Sequence, residues 1–135
     1  CDYLILSSPM NNFGYPAPVK AWIDAVMQKG FVYDIENDTH TPKKIKDLTV
    51  LIIYTSGIIF DQVSENISWN GLEAEGKNLF SYMGAKEVRT VHVQGVDILE
   101  ERFLKYRIEN VAMRKLNSLA KVWYGVNHNL ETYSS

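Results

Sequence analysis

Eleven residues near the start of the chain carry the side chains best suited to binding a small molecule. Residues 8–18 read Ser-Pro-Met-Asn-Asn-Phe-Gly-Tyr-Pro-Ala-Pro, after the apolar run Tyr3-Leu4-Ile5-Leu6 and before a helical pattern that begins at Val19. In open α/β sheets, ligands bind at the carboxyl ends of the strands. A loop placed there offers an apolar face from Met10 and Phe13, an amide from Asn12 and backbone N–H groups. These groups suit a flat heterocycle such as a flavin ring.

Asn12 is the first candidate for a direct ligand contact. Its amide has both donors and an acceptor, so it can satisfy the N3–H and carbonyl edge of an isoalloxazine ring. Asn is equally suited to capping a turn with its own backbone, and spacing alone does not separate the two interpretations. Met10 and Phe13 could pack against the ring or fill the core. The backbone N–H of Met10 is a candidate polar contact.

A second candidate loop follows the next buried strand. Val50–Tyr54 are five successive apolar or aromatic residues, and Thr55-Ser56-Gly57-Ile58 come next. A glycine lets backbone N–H groups approach a ligand closely, although a simple turn explains Gly57 equally well. The hydroxyls of Thr55 and Ser56 could add contacts to the same ligand.

Both loops resemble those of a known family. The first loop resembles the signature of FMN-dependent NADH azoreductases and quinone reductases, in the flavodoxin-like superfamily. The matching residues are Pro9-Met10-x-Asn12-Phe13, then a proline-containing turn and Lys20-x-Trp22-Ile23-Asp24. That family usually has Tyr where Asn11 stands. Its second loop reads Ser-Arg-Gly-Gly, of which this chain keeps only Gly57, with Ile58 in place of the second glycine. The resemblance spans about residues 1–125, and the family's opening strand and Ser-rich phosphate loop have no counterpart.

The resemblance implies FMN as cofactor, NAD(P)H as reductant, and quinones or azo compounds as small aromatic acceptors. Because the chemistry takes place on the flavin, it implies no catalytic side chain; one site serves both half-reactions, with ping-pong kinetics. It also implies a homodimer, for which we expect an interface at the first helix and Tyr15, with Trp22, Tyr33 and Trp69 as further aromatic candidates. These residues are equally suited to the core, Trp22 above all, because it shares the apolar face of the first helix with Ile23 and Val26. The expected cofactor-binding residues are Pro9, Met10, Asn11, Asn12, Phe13, Thr55, Ser56, Gly57 and Ile58.

Two other functions compete with this one. A flavodoxin-like one-electron carrier would bind FMN but serve protein partners, and it would stabilise a one-electron-reduced flavin on titration. A flavin-free, non-catalytic module would explain Asn11, Ile58 and the missing phosphate loop. The visible spectrum of the purified protein separates this last alternative from the other two.

Composition excludes several classes of function. The 135 residues carry a net charge of −2, which gives no electrostatic footprint for nucleic acid. The three histidines have no metal-site spacing, and a single cysteine, Cys1, suits a reducing compartment. No apolar run approaches the ~20 residues that span a bilayer. We therefore expect a cytoplasmic protein without a metal site or membrane segment.

The order of elements predicts a doubly wound, flavodoxin-like α/β domain of three layers (α/β/α). Three strands alternate with three helices, and the chain supplies strands 3–5 of the flavodoxin order with their helices. Residues 1–125 would form the carboxy-terminal part of one domain and residues 126–135 an irregular tail. The first strand would then be an exposed edge, and the phosphate site would lie upstream of Cys1. The expected strands are 2–7, 48–55 and 88–94, and the expected helices are 17–29, 72–83 and 99–123. The lid-like connectors are residues 31–46 and 57–69. The residues of the last helix expected to face inward are Leu104, Ile108, Val111, Leu119 and Val122 or Trp123.

Overall fold

Three parallel strands form the centre of the computed structural model, which describes residues 1–42, 44–60 and 70–125. In chain order the elements are β1 (Tyr3–Pro9), α1 (Ala17–Val26), β2 (Tyr33–Glu36), β3 (Thr39–Pro42), β4 (Thr49–Ser56), α2 (Gly71–Tyr82), β5 (Glu87–Gln94), α3 (Glu101–Arg107), a π-helical segment (Ile108–Ala112) and α4 (Met113–Tyr124). The predicted loop up to Trp69 lies largely outside the described residues, and the predicted tail from residue 126 lies wholly outside them.

The parallel sheet has the order β1-β4-β5. The register pairs Ser8 with Tyr54 and Tyr54 with His92. β4 is covered on both faces, as its unbroken apolar run predicts for a parallel sheet. Within the described residues β1 pairs only with β4, and its Ile5 side chain is 62% exposed. The expectation of an edge strand here is confirmed for that part of the chain.

Helices cover both faces of this sheet, which makes the predicted three layers. On one face Val50, Ile52 and Tyr54 pack with Ile23 of α1 and with Leu72 and Phe80 of α2. The opposite face is packed by Leu51, Val91, Ala112, Leu116, Leu119 and Trp123. The alternation of side chains along β4 therefore divides the core into two clusters.

The first helix differs from its prediction in two respects. It ends at Val26 rather than Lys29. Gly30 (φ +84°) lies beyond the helix, in a turn in which its N–H donates to the Tyr33 carbonyl. Trp22, predicted to face the core, is 40% exposed, whereas Tyr15 is buried. Tyr15 is therefore unavailable as an interface residue, because packing against α2 has enclosed it.

A second sheet lies in the region predicted to be an irregular polar connector. β2 and β3 form an antiparallel hairpin whose two turn residues, Asn37 and Asp38, both have positive φ (50° and 60°). This is the conformation of a type I′ turn, which matches the twist of a two-residue hairpin. The Asn37-Asp38 pair between two short alternating runs is the sequence feature that indicates a hairpin. The polar composition of the region led instead to the prediction of an irregular connector.

The last helical region is interrupted where an unbroken helix was predicted. The π-helical segment contains one more residue per turn, so the residues beyond it are displaced around the helix axis. Val111, predicted to face the core with Ile108, is 54% exposed, and Ala112 is buried in its place. The predictions for α2 and β5 are confirmed to within one residue at each end.

Candidate functional site

The two candidate loops meet at the carboxyl ends of β1 and β4. The Met10 N–H donates to the Thr55 carbonyl at 2.8 Å, which continues the pairing of β1 with β4 beyond the last strand residue. This N–H was a candidate ligand contact, but in the structure it donates to the Thr55 carbonyl. The Met10 side chain is half-buried and packs against the core, as its alternative interpretation held.

A tight, strained turn follows Met10. The Asn11 N–H donates to the Gly14 carbonyl and the Gly14 N–H donates to the Asn11 carbonyl, both at 3.0 Å. The central residues Asn12 and Phe13 have φ of 48° and 67°, as a type I′ turn requires. Asn tolerates this region, but a bulky residue such as Phe rarely enters it. Such strain persists only where the surrounding structure maintains it, and it concentrates at binding sites.

The side chains of this turn remain accessible. Phe13 is 46% exposed, and its ring meets the buried Phe60 ring edge-on at 6.5 Å between centroids. Within the described parts of the chain, the exposed Asn12 amide makes no hydrogen bond, so it does not cap its own turn. Pro9 and Asn11 are also exposed. The turn thus presents an amide next to an aromatic ring.

The second loop is attached to the segment after β5. The Gly95 N–H donates to the Ser56 carbonyl at 2.8 Å and approaches the Ile58 carbonyl at 3.2 Å. A Cβ at Gly57 would overlap the carboxylate of Asp97, an exposed side chain that would have to move aside. Ile58 is exposed beside it. A role for Gly57 in ligand binding stays a prediction.

A polar network that sequence reasoning missed lies beneath these loops. The Glu73 carboxylate, in the first turn of α2, accepts from Thr90 Oγ1 at 2.8 Å and from Tyr54 Oη at 3.1 Å, and it pairs with Lys77. The Asn70 amide is within 3.3 Å of Tyr54 Oη. The network joins β4, β5 and the start of α2.

Two pKa values follow from this arrangement. Burial alone raises the pKa of Glu73, but hydrogen bonds from Lys77, Thr90 and Tyr54 and the charge of Lys77 outweigh it and lower the value to about 2. Burial raises the pKa of the Tyr54 hydroxyl, so it stays protonated and can donate to Glu73. At physiological pH Glu73 is therefore an anion surrounded by donors.

His92 completes the interior of the site. Its ring stacks on that of Tyr54 at 3.9 Å, and its Nε2 lies 2.7 Å from Ser56 Oγ. His92 was not among the predicted site residues, because the alternating pattern of its strand does not show which residue lies opposite it. Only the register, which places Tyr54 opposite His92, brings the two rings together.

Two kinds of feature are absent from the described ranges 1–42, 44–60 and 70–125. No group of three or more His, Cys, Asp or Glu side chains converges there as a metal site would require. No helix in those ranges has the length and apolarity to cross a membrane.

The comparison with family models identifies the chain's relatives. A model described as a flavodoxin-like fold matches residues 1–112. The chain belongs to this flavodoxin-like family. It is 30% identical over 99 residues to an FMN-dependent NADH:quinone oxidoreductase from Beijerinckia indica, a match covering 73% of this chain and 48% of that protein. It is 28% identical over 98 residues to FMN-dependent NAD(P)H:quinone oxidoreductase 1 from Pseudomonas aeruginosa, covering 70% and 46%.

Solved structures show the same fold. An FMN-dependent NADH-azoreductase from Bacillus anthracis, in complex with FMN, superposes with a TM-score of 0.74 at 18% identity, covering 88% of this chain and 56% of that one. The chain spans about half the length of the curated relatives it matches. The predicted flavodoxin-like class is therefore confirmed.

Proposed function

We propose that the loops after β1 and β4 bind the isoalloxazine ring of FMN in an NAD(P)H-dependent oxidoreductase acting on quinone or azo acceptors. The observation that carries this proposal is the strained Asn12-Phe13 turn, held open to solvent against the Thr55–Ile58 loop. The FMN-dependent activities named for the relatives from Beijerinckia indica and Pseudomonas aeruginosa support it.

The donor set fits the ring portion of FMN. The exposed Asn12 amide offers a donor and an acceptor to the imide edge, and the half-exposed Phe13 ring offers an apolar surface beside it. Thr55 and Gly57 supply backbone at the adjoining loop, and the exposed Ile58 side chain borders the same space. The backbone N–H groups of Met10 and Asn11 are engaged with Thr55 and Gly14, so in this proposal Pro9 and Met10 shape the turn, and Asn11 would contact the ligand through its exposed side-chain amide.

The chain's own residues bind and orient, and none acts as acid or base in this proposal. Bound FMN supplies hydride acceptance from NAD(P)H and hydride donation to the acceptor. The strained turn holds the amide and the Phe13 ring in place before binding, which reduces the ordering cost at that moment. Nucleotide and acceptor occupy one face in turn, which predicts ping-pong kinetics.

Two assembly features belong to the same proposal. The exposed Trp22 on α1 supports a homodimer interface at that helix, now without Tyr15. The outer edge of β1 presents exposed Tyr3 and Ile5, and we propose that a further strand of the flavodoxin-like sheet covers it. The FMN phosphate would bind on that additional part of the sheet.

Replacing Asn12 tests the cofactor site. Asn12→Ala removes the hydrogen bonds to the imide edge, worth about 1–3 kcal/mol for two bonds, and should raise the Kd for FMN roughly 5- to 150-fold. Quenching of FMN fluorescence on titration with the protein measures this. Asn78→Ala is the matched control, because Asn78 is an exposed residue about two turns into α2, and this variant should bind FMN as the wild type does.

The outcomes separate the competing functions. A wild-type protein that carries the proposed additional strand and phosphate site but leaves FMN fluorescence unchanged contradicts the proposal and favours a flavin-free module. FMN binding without NAD(P)H-dependent quinone reduction favours an electron carrier. Steady-state plots at several acceptor concentrations should be parallel, and intersecting lines would refute the shared-face mechanism.

A further inference from the structure

The Ser56 hydroxyl stands between two groups that could each share its hydrogen atom. Ser56 Oγ lies 2.8 Å from the Ile58 carbonyl oxygen and 2.7 Å from His92 Nε2, and the residue is buried. A hydroxyl has one hydrogen to donate, and a carbonyl oxygen can only accept. The direction of both hydrogen bonds follows from this constraint.

Ser56 must donate to Ile58 and accept from His92. If it donated to His92 instead, the lone pairs of Ser56 Oγ and the Ile58 carbonyl would face each other at 2.8 Å without a hydrogen between them. His92 Nε2 therefore carries a hydrogen. When neutral, the imidazole is therefore the Nε2–H tautomer.

The His92 ring is itself fixed on both sides. It stacks on Tyr54 at 20° between ring planes, and the Phe60 ring lies 5.9 Å away. Tyr54 is held in turn by hydrogen bonds of its hydroxyl with Asn70 and Glu73. The imidazole thus has little freedom to rotate away from Ser56.

We propose that His92 is a positioning residue for the Ser56–Ile58 turn of the cofactor site. Its Nε2–H orients the Ser56 hydroxyl, which fixes the Ile58 carbonyl and so the shape of the loop that borders the ligand. The inference rests on the proposed function for its consequence, FMN affinity, but its structural basis is independent of FMN.

The tautomer is tested directly on the protein without FMN. Long-range ¹H–¹⁵N correlation spectra at pH 8.5, assigned by the loss of one imidazole pattern in His92→Phe, should show hydrogen on Nε2. The chain has three histidines, so the assignment needs few comparisons. A neutral His92 with hydrogen on Nδ1 and none on Nε2 overturns the proposal whether or not FMN binds.

Three variants test the consequence for FMN. His92→Phe keeps a ring for stacking on Tyr54 but removes the donor, and Ser56→Ala removes the hydroxyl; each should raise the Kd for FMN about 5- to 10-fold. His92→Gln places an amide nitrogen the same number of bonds from Cα as Nε2 and should stay within about twofold of wild type. Combining His92→Phe with Ser56→Ala should weaken binding no further than Ser56→Ala alone, because both break one hydrogen-bonded chain.

The outcomes are decisive in both directions. Additive losses, an unaffected His92→Phe, or a His92→Gln as weak as His92→Phe would each overturn the positioning role. If circular dichroism shows that His92→Phe does not fold, Ser56→Ala decides, and wild-type affinity there refutes the proposal. A wild type that does not bind FMN contradicts the proposed function, and the tautomer spectrum then still tests the hydrogen-bond assignment separately.

Discussion

Glu73 anchors three elements, so neutralising it should destabilise the fold in a pH-dependent way. Its carboxylate accepts hydrogen bonds from Thr90 and Tyr54 and pairs with Lys77. Glu73→Gln keeps the shape but turns one acceptor atom into a donor that faces other donors. The variant therefore loses hydrogen bonds and the ion pair together.

The magnitude follows from the pKa. The folded-state pKa is about 2 against 4.5 for an unperturbed Glu, which at about 1.4 kcal/mol per pH unit corresponds to roughly 3.5 kcal/mol. The side chain is 30% exposed, and solvent screening reduces this to about 2 kcal/mol. Because the folded pKa lies below the unfolded one, the contribution is fully present above about pH 4.5 and is lost as the pH falls towards 2. Less than half of it remains at pH 3.

Urea unfolding followed by circular dichroism measures this effect at pH 7 and pH 3. Glu73→Gln should lower the free energy of unfolding by about 2 kcal/mol at pH 7, and the difference from wild type should shrink by more than half at pH 3. Glu101→Gln is the matched control, since Glu101 also lies in the first turn of a helix but is exposed. Equal stability of Glu73→Gln and wild type at pH 7, or a difference unchanged at pH 3, would refute the reasoning.

Two further predictions concern packing and assembly. A Cβ at Gly76 would overlap the Tyr15 hydroxyl and Ile52, so Gly76→Ala should lower the free energy of unfolding by about 1–2 kcal/mol in the same urea titration, despite its better helix propensity. Gly14→Ala, where nothing lies within 4 Å of the added Cβ, should leave the free energy of unfolding unchanged. Trp22→Lys should convert the proposed dimer to a monomer by light scattering, whereas Val122→Lys on the opposite face should not. Dimers of unchanged affinity in Trp22→Lys would move the interface away from α1.

Much of the architecture could be predicted because it depends on local burial. The unbroken apolar run of β4 predicted a buried strand, and the helix predicted over residues 72–83 coincides with α2 to within one residue at each end. The predictions failed where one extra residue shifted the helical periodicity and where a two-residue turn formed a hairpin. The π-helical segment displaced the inward face from Val111 to Ala112, and the Asn37-Asp38 turn made a hairpin within a polar stretch.

The candidate site divides in the same way. The sequence alone determined the two loops, because their residue types follow apolar strands directly and chain order then places them at strand ends. Only the tertiary structure decided that Asn12 and Phe13 share a strained turn, and that Met10 donates to Thr55. Those outcomes depend on contacts between strands, and the periodicity along one strand carries no information about such contacts.

The network under the loops belongs entirely to the tertiary structure. Glu73 and Thr90 are 17 residues apart, and Ser56 and His92 are 36 apart, so no local spacing relates either pair. The register of β4 with β5 sets Tyr54 against His92, and the position of α2 brings Glu73 to both strands. A sequence pattern records which face of an element is buried, but partners of buried polar groups are selected by register and packing, which form only when distant segments meet.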